Sequence, residues 1–154
     1  MQAVDPDFER RVRDSFARQG AMHHIGAMLA EVAPGRVAIE MAYRPELGQQ
    51  HGFFHAGMVS TVADSAGGYA AYTLFPADSS VLTVEFKVNL IAPADGERVR
   101  AVGQVIRSGR TLTICELRAY ALKGGKETQC LHGMATLMCL AGKSDGTPQK
   151  PPSN

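Results

Sequence analysis

The chain has 154 residues, 45% hydrophobic and 20% charged, with a formal net charge of +1. That is one ordinary domain with enough apolar side chain for a real core, and its charge balance excludes any overall pull toward nucleic acid or an anionic membrane. No apolar run approaches the roughly 20 residues a bilayer requires, and the first residues lack a basic stretch followed by an apolar one. Cys115, Cys130 and Cys139 have neither the even number of a disulfide framework nor the spacing of a zinc site. A cytoplasmic protein with reduced cysteines and no metal is the expectation.

In chain order, Asp5-Pro6 reads as an N-cap with proline at the first helical position, and Phe8, Val12 and Phe16 form the apolar stripe of a short helix that Gly20 ends. A segment from Met28 to Val32 and one from Arg36 to Arg44, joined by Pro34-Gly35, predict a hairpin. In its second strand Val37, Ile39, Met41 and Tyr43 alternate with Arg36, Ala38, Glu40 and Ala42. Residues 56 to 75 predict a long central helix closed by Pro76. Beyond it Leu82, Val84, Phe86, Val88 and Leu90 are expected on one face of a strand and Thr83, Glu85, Lys87 and Asn89 on the other. Three more strands, about 98 to 107, 111 to 122 and 128 to 140, are separated by Ser108-Gly109-Arg110 and by Lys123-Gly-Gly-Lys126, turns short enough to make consecutive strands antiparallel. Ala141 to Asn154 has the composition of a disordered tail. The expected divisions are an N-terminal helix (1–20), one α+β domain (21–140) and that tail (141–154), with an antiparallel sheet covering the central helix.

One residue stands out in that helix. Asp64 lies among small and apolar residues, its neighbours at three and four positions are Ser60, Thr61, Gly67 and Gly68, and no Lys or Arg occurs between Arg44 and Lys87. An ionised carboxylate removed from water needs a partner or several hydrogen bonds, so a lone acid with space beside it suggests a ligand site. A structural carboxylate capping a loop is the plain alternative. The many Ala and Gly residues between Ala56 and Ala71 either let strands approach the helix closely or leave room for a ligand. Ser60, Thr61 and Ser65 lack the G-x-S-x-G elbow of a serine nucleophile, and His23, His24 and His132 show no ligand spacing.

His55-Ala-Gly-Met-Val-Ser-Thr-Val-Ala-Asp64-Ser-Ala-Gly-Gly-Tyr, followed by Val84-Glu-Phe-Lys-Val-Asn-Leu-Ile-Ala-Pro93 and Ser108-Gly-Arg-Thr-Leu112, resembles the hotdog-fold acyl-CoA thioesterases of the phenylacetate-degradation (PaaI-like) branch of the 4-hydroxybenzoyl-CoA thioesterase superfamily. The resemblance covers roughly residues 22 to 140. It implies a six-stranded antiparallel sheet wrapped around the central helix, homodimers joined through a continuous sheet and often paired again into tetramers, and active sites at the subunit interface. Asp64 then resembles the catalytic carboxylate, His55 the motif histidine near the thioester, the Ala56 N–H the amide that polarises the carbonyl, and Thr83 a hydroxyl that assists in placing the water. Gln49 stands where some members have Asn, a departure in the length of the arm.

The substrate-contacting positions implied beside these are Phe54, Gly57, Met58 and Gly68. Arg107 and Arg110 flank Ser108-Gly109 at a turn; such charges are ordinarily solvated, and CoA phosphates are the alternative partner. Coenzyme A enters only as part of the substrate, with no separate cofactor.

The chemistry is consistent with this. Thioester hydrolysis needs a base or nucleophile and donors aimed at the developing oxyanion, and a helix N-terminus has unpaired N–H groups. Asp64 lies about 11 Å along the helix from its start at roughly 1.5 Å per residue. The carboxylate and the amide facing one carbonyl are therefore expected from different subunits. A non-catalytic acyl-CoA-binding protein on the same scaffold is the alternative; a dehydratase would need a His paired with Glu or Asp in a different motif.

Overall fold

The computed structural model describes residues 1–143 and 145; the tail expected to be disordered lies mostly outside them. Helices α1 (Phe8–Ala17) and α2 (Gly20–Ile25) precede strands β1 (Ala27–Ala33) and β2 (Arg36–Ala42). The central helix α3 (Ala56–Tyr72) follows, then β3 (Ser79–Leu90), β4 (Arg98–Ser108), β5 (Leu112–Lys123) and β6 (Lys126–Ala141). All pairings are antiparallel, in the order β1-β2-β4-β5-β6-β3. The architecture is the expected α+β one, a curved six-stranded sheet around one helix, with β1 and β3 as its edges.

The small residues of α3 explain how one helix fits inside the sheet. Val59, Val62, Ala63, Ala66 and Ala70 are fully buried against Val37, Ile39, Met41, Leu117 and Leu137. On β4, Gly103 lies so close to the helix that a Cβ there would overlap the Ala66 carbonyl and the Gly67 nitrogen. The close approach is backbone on backbone, with no flexible side chain to move aside.

The N-terminal region differs from the expectation. Asp7, not Asp5, holds the N-cap position of α1, and Gly20 opens the short α2 rather than ending the fold's first element. Asp5 lies two residues earlier, its Oδ1 accepting the Asp7 N–H at 2.9 Å and its Oδ2 paired with Arg11 at 2.9 Å, both side chains nearly buried. Arg11 donates to the carbonyls of Tyr72 (3.1 Å), Phe75 (2.7 Å) and Pro76 (2.8 Å) and lies 4.2 Å over the Tyr72 ring. It thereby gathers carbonyls at the end of α3 and in the turn that follows it, and ties α1 to the C-terminal end of that helix.

Strand β3 corrects the simple alternation. Thr83 pairs with Leu137 and Glu85 with Thr136, so Val84 is one extra residue, a β-bulge. Before it Val81 and Thr83 face the helix; after it Phe86, Val88 and Leu90 do, opposite Ala135, Gly133 and Leu131. Leu82 therefore stands on the opposite face from Phe86 and Leu90. A bulge flips the side-chain parity, and that is how one strand presents Thr83 and Phe86 to the same side.

Replacing Gly103 with Ala is expected to cost about 2–3 kcal/mol of stability through overpacking, measured by denaturant unfolding; an unchanged midpoint would show that helix and sheet have room to separate.

Candidate active site

Asp64 sits midway along α3, half-buried, and its Oδ1 accepts a hydrogen bond from the Thr83 hydroxyl at 2.8 Å. Among the described residues it has no ion-pair partner and no second hydrogen-bond donor. Burial pushes its carboxyl above the ordinary carboxylate value, and the Thr83 bond pulls more weakly the other way. It borders a cavity of about 220 Å3 whose walls include Ser15, Gln19, Ser65, Gly68, Tyr69, Val81 and Thr83. Gly68 is buried, yet a Cβ added to it would meet nothing within 4 Å. The carboxylate thus has one satisfied oxygen and open space beside it, unlike a structural cap.

A second, larger cavity of about 510 Å3 lies at the N-terminus of α3, bounded by Gln49, Phe53, Phe54, Ala56, Val59, Leu90, Pro93 and Cys130 among others. The loop before the helix is closed by backbone bonds from Gln49 to Phe53 (2.8 Å), from Phe54 to Ala94 (3.0 Å) and from His55 to Leu47 (2.9 Å), with Gly52 at φ +83°. The left-handed backbone at Gly52 suits glycine, and the closed loop sets Gln49 beside the helix start. The Gln49 side-chain oxygen accepts the His51 N–H, and its NH2 has no hydrogen-bond partner among the described residues. His55 is the N-cap, its Nδ1 accepting the Gly57 N–H at 2.9 Å. The Ala56 N–H, first of the helix, has no acceptor among the described residues and faces the end where the helix dipole is positive.

Each expected residue thus has a definite place. Asp64, Thr83 and Gly68 meet at one cavity; Gln49, Phe54 and Ala56 meet at the other. His55 and Gly57 are exposed and bonded to each other, and the half-buried Met58 packs against the core. Arg107, Ser108, Gly109 and Arg110 border neither cavity. Their turn lies at the Leu112 end of β5, whereas the Ala56 cavity lies toward its Lys123 end, where Glu97 bonds to Leu122. Sequence reasoning missed Ser15 and Gln19, which reach the Asp64 cavity from the N-terminal region; Ser15 Oγ lies 3.2 Å from the Tyr69 hydroxyl and Ser65 donates to Gln19 at 3.4 Å. No local pattern marks contacts so distant in the chain.

Burial also removes the thiols from the chemistry. It pushes Cys115 up to about 12 and Cys130 up to about 11, so both stay protonated at neutral pH and neither is a nucleophile. No cluster of His, Cys, Asp and Glu able to hold a metal occurs among the described residues, and no helix there is long and apolar enough to cross a membrane.

A six-stranded antiparallel sheet wrapped around one central helix defines a hotdog-fold domain. Residues 51–128 match the profile of the thioesterase superfamily. The solved structure of a thioesterase family protein from Silicibacter pomeroyi is 51% identical, with a TM-score of 0.86 over 88% of this chain and 99% of that one. The PaaI protein from the phenylacetic acid degradation operon of E. coli shares the fold, with a TM-score of 0.80 at 12% identity over 92% of this chain and 99% of that one. A putative esterase of Saccharolobus solfataricus is 32% identical over 54% of this chain, and the match spans only 59% of that relative's length. A 1,4-dihydroxy-2-naphthoyl-CoA hydrolase of Listeria monocytogenes is 22% identical over 64% of this chain and 80% of its own. The chain belongs to the thioesterase superfamily, a family of hydrolases.

The raised carboxyl of Asp64 has a consequence for stability. The folded protein holds this proton more tightly than the unfolded chain does, so stability falls as pH rises from the ordinary value of 3.8 through the raised one. Asp64→Asn is expected to be more stable than wild type at pH 7, with the gap closing as pH drops below about 4. Thermal unfolding against pH measures this; an Asn variant less stable at pH 7 would mean that the carboxylate holds the fold together.

Proposed function

We propose that the protein is an acyl-CoA thioesterase that hydrolyses an aromatic or medium-chain acyl-CoA to free acid and CoA, acting as a homodimer with shared active sites. The observation that supports this best is the separation of the two functional groups. Asp64 and the Ala56 N–H sit in different cavities, eight residues and roughly 12 Å apart along one helix axis. One carbonyl cannot span that distance. Two copies can close it.

Strand β3 is a long sheet edge whose apolar side chains are open: Val84, Phe86 and Leu90 are 53%, 44% and 57% exposed. An unprotected apolar edge invites pairing with another strand. Antiparallel pairing of β3 with its copy would continue the sheet and set the Thr83 end of one strand beside the Leu90 end of the other. Thr83 touches Asp64, and Leu90 borders the Ala56 cavity. The pairing therefore brings the carboxylate of one subunit to the helix N-terminus of its partner. A dimer of dimers, through the outer sheet face where Leu112 and Met134 are exposed, extends the same reading.

In such a site the thioester carbonyl lies against the Ala56 N–H and the NH2 of Gln49, two donors placed for the oxyanion that forms on attack. The longer Gln arm serves here because the His51 N–H holds its oxygen. Asp64 acts either as the base that takes a proton from the attacking water or as the nucleophile itself; its raised proton affinity suits the first role. Thr83 keeps the carboxylate oriented. His55 caps the helix and so aims the amide, while Phe54, Met58, Gly57 and Gly68 shape the space for the acyl group and its arm. The apolar lining of the larger cavity fits an acyl chain or ring, and the Listeria relative's naphthoyl-CoA substrate favours an aromatic one. No cofactor beyond the CoA of the substrate enters this chemistry, and a cytoplasmic setting, where the cysteines stay as thiols, belongs to the same reading.

Two variants test it. Asp64→Asn is expected to lower kcat by roughly a thousandfold with the fold intact. Ala56→Pro deletes only the N–H: proline is tolerated at the first helical position, and His55, at φ −64° and ψ 134°, already has the extended backbone that precedes proline. It is expected to lower kcat by roughly a hundredfold or more. Steady-state assays on a panel of acyl-CoA substrates with a thiol-reactive dye provide the readout. Wild-type rates in the Asn variant, or acyl-CoA binding without turnover in the wild type, would overturn the reading.

A further inference from the structure

We infer that the hairpin turn between β5 and β6 binds the phosphate groups of the substrate's coenzyme A half, through Lys123 and Lys126. The inference rests on the acyl-CoA reading above. The turn is Gly124-Gly125, both with left-handed backbone at φ +54° and +78°, the two-residue geometry that joins antiparallel strands most tightly. It places Lys123 and Lys126 directly opposite each other. Like charges facing across a ladder are destabilising, so the pair calls for a counter-charge. Asp95 supplies one, 2.8 Å from the Lys123 Nζ. Lys126 has no ion-pair partner among the described residues; a further carboxylate at the turn, Glu97, is engaged by the Gly124 N–H at 3.4 Å.

These lysines border a cavity of about 370 Å3 together with Phe53, Ala92, Pro93, Asp95 and Thr128. Phe53, Ala92 and Pro93 also line the larger cavity that contains Ala56. The two spaces thus share a wall, with the helix amide on one side and the free cation on the other. An acyl-CoA has the matching layout, an uncharged thioester at one end and a polyanion at the other, joined by a flexible arm. Lysine meets a phosphate as a mobile point charge, and charge-assisted bonds of this kind are among the stronger ones. Arg107 and Arg110, the cations suggested by the sequence, lie at the other end of β5 and border neither cavity of their own subunit.

The test compares benzoyl-CoA with benzoyl-pantetheine, which carries the same thioester and arm but no phosphate. In the Lys123→Ala/Lys126→Ala double variant, KM for benzoyl-CoA is expected to rise about tenfold relative to KM for benzoyl-pantetheine. Calorimetry with adenosine 3′,5′-bisphosphate is expected to show binding to wild type and about tenfold weaker binding to the double variant. An unchanged ratio of the two KM values, or a ratio that moves only in Arg107→Ala/Arg110→Ala, would overturn the assignment. If neither thioester is hydrolysed the thioesterase reading fails by itself, and the calorimetric comparison still decides the lysines: equal affinity in both proteins rejects them.

Discussion

A single hydrogen bond, from the Thr83 hydroxyl to Asp64, holds a carboxylate that the rest of the fold half-buries. An ionised group in such a place is costly unless its charge is used, and the surroundings do nothing to relieve it. The neighbouring helix positions are small, Gly68 leaves open space, and no cation approaches among the described residues. The β-bulge at Val84 serves the same end, because in an unbulged strand Thr83 and Phe86, three residues apart, would face opposite sides of the sheet. Arg11 fixes α1 on the C-terminal part of α3, and the N-terminal region then completes the cavity with Ser15 and Gln19. In the proposed reaction, stability is given up locally so that a proton acceptor remains available, a common cost of active sites.

The other half of the chemistry lies at the opposite end of the helix, where the first N–H groups are unpaired by necessity. One is used by His55 and one is left free at Ala56. Since α3 is one rigid rod, its middle and its start cannot meet, and the proposed mechanism therefore draws on the sheet edge. An apolar β3 is a liability in a monomer, but in a two-fold pair it joins the carboxylate end of each subunit to the amide end of the other. The same geometry leaves the Lys123 and Lys126 turn on the amide side, so that in the proposed dimer base, oxyanion donors and phosphate contacts would follow one another along a single substrate.

Much of this was legible in the sequence. The period-two strands, the helix of small residues and the isolation of Asp64 all follow from local rules, and three motifs in order led to the fold and family. What could not be read depends on contacts between distant segments. The alternation from Leu82 to Leu90 is apolar throughout, and because an edge strand exposes both faces, one inserted residue leaves no trace in the pattern. Asp5 reads as a simple cap, whereas one of its oxygens accepts the Asp7 N–H and the other pairs with Arg11. Arg107 and Arg110 attract attention as charges at a turn, whereas Lys123 and Lys126 look equally solvated until the Ala92-Pro93 segment folds over beside them. A carboxylate isolated within one helix can be read from the sequence, whereas which side chains share a cavity cannot.

Subunit complementation between Asp64→Asn and Ala56→Pro tests the shared site most directly. Each homodimer alone has a lesion in both sites; in a mixed dimer one site carries both lesions and the other carries neither. Mixing the two inactive proteins under exchange is predicted to restore up to roughly a quarter of wild-type turnover, the share expected for a statistical two-fold assembly. No recovery, with mixed dimers demonstrated in the sample, would show that carboxylate and amide act within one chain.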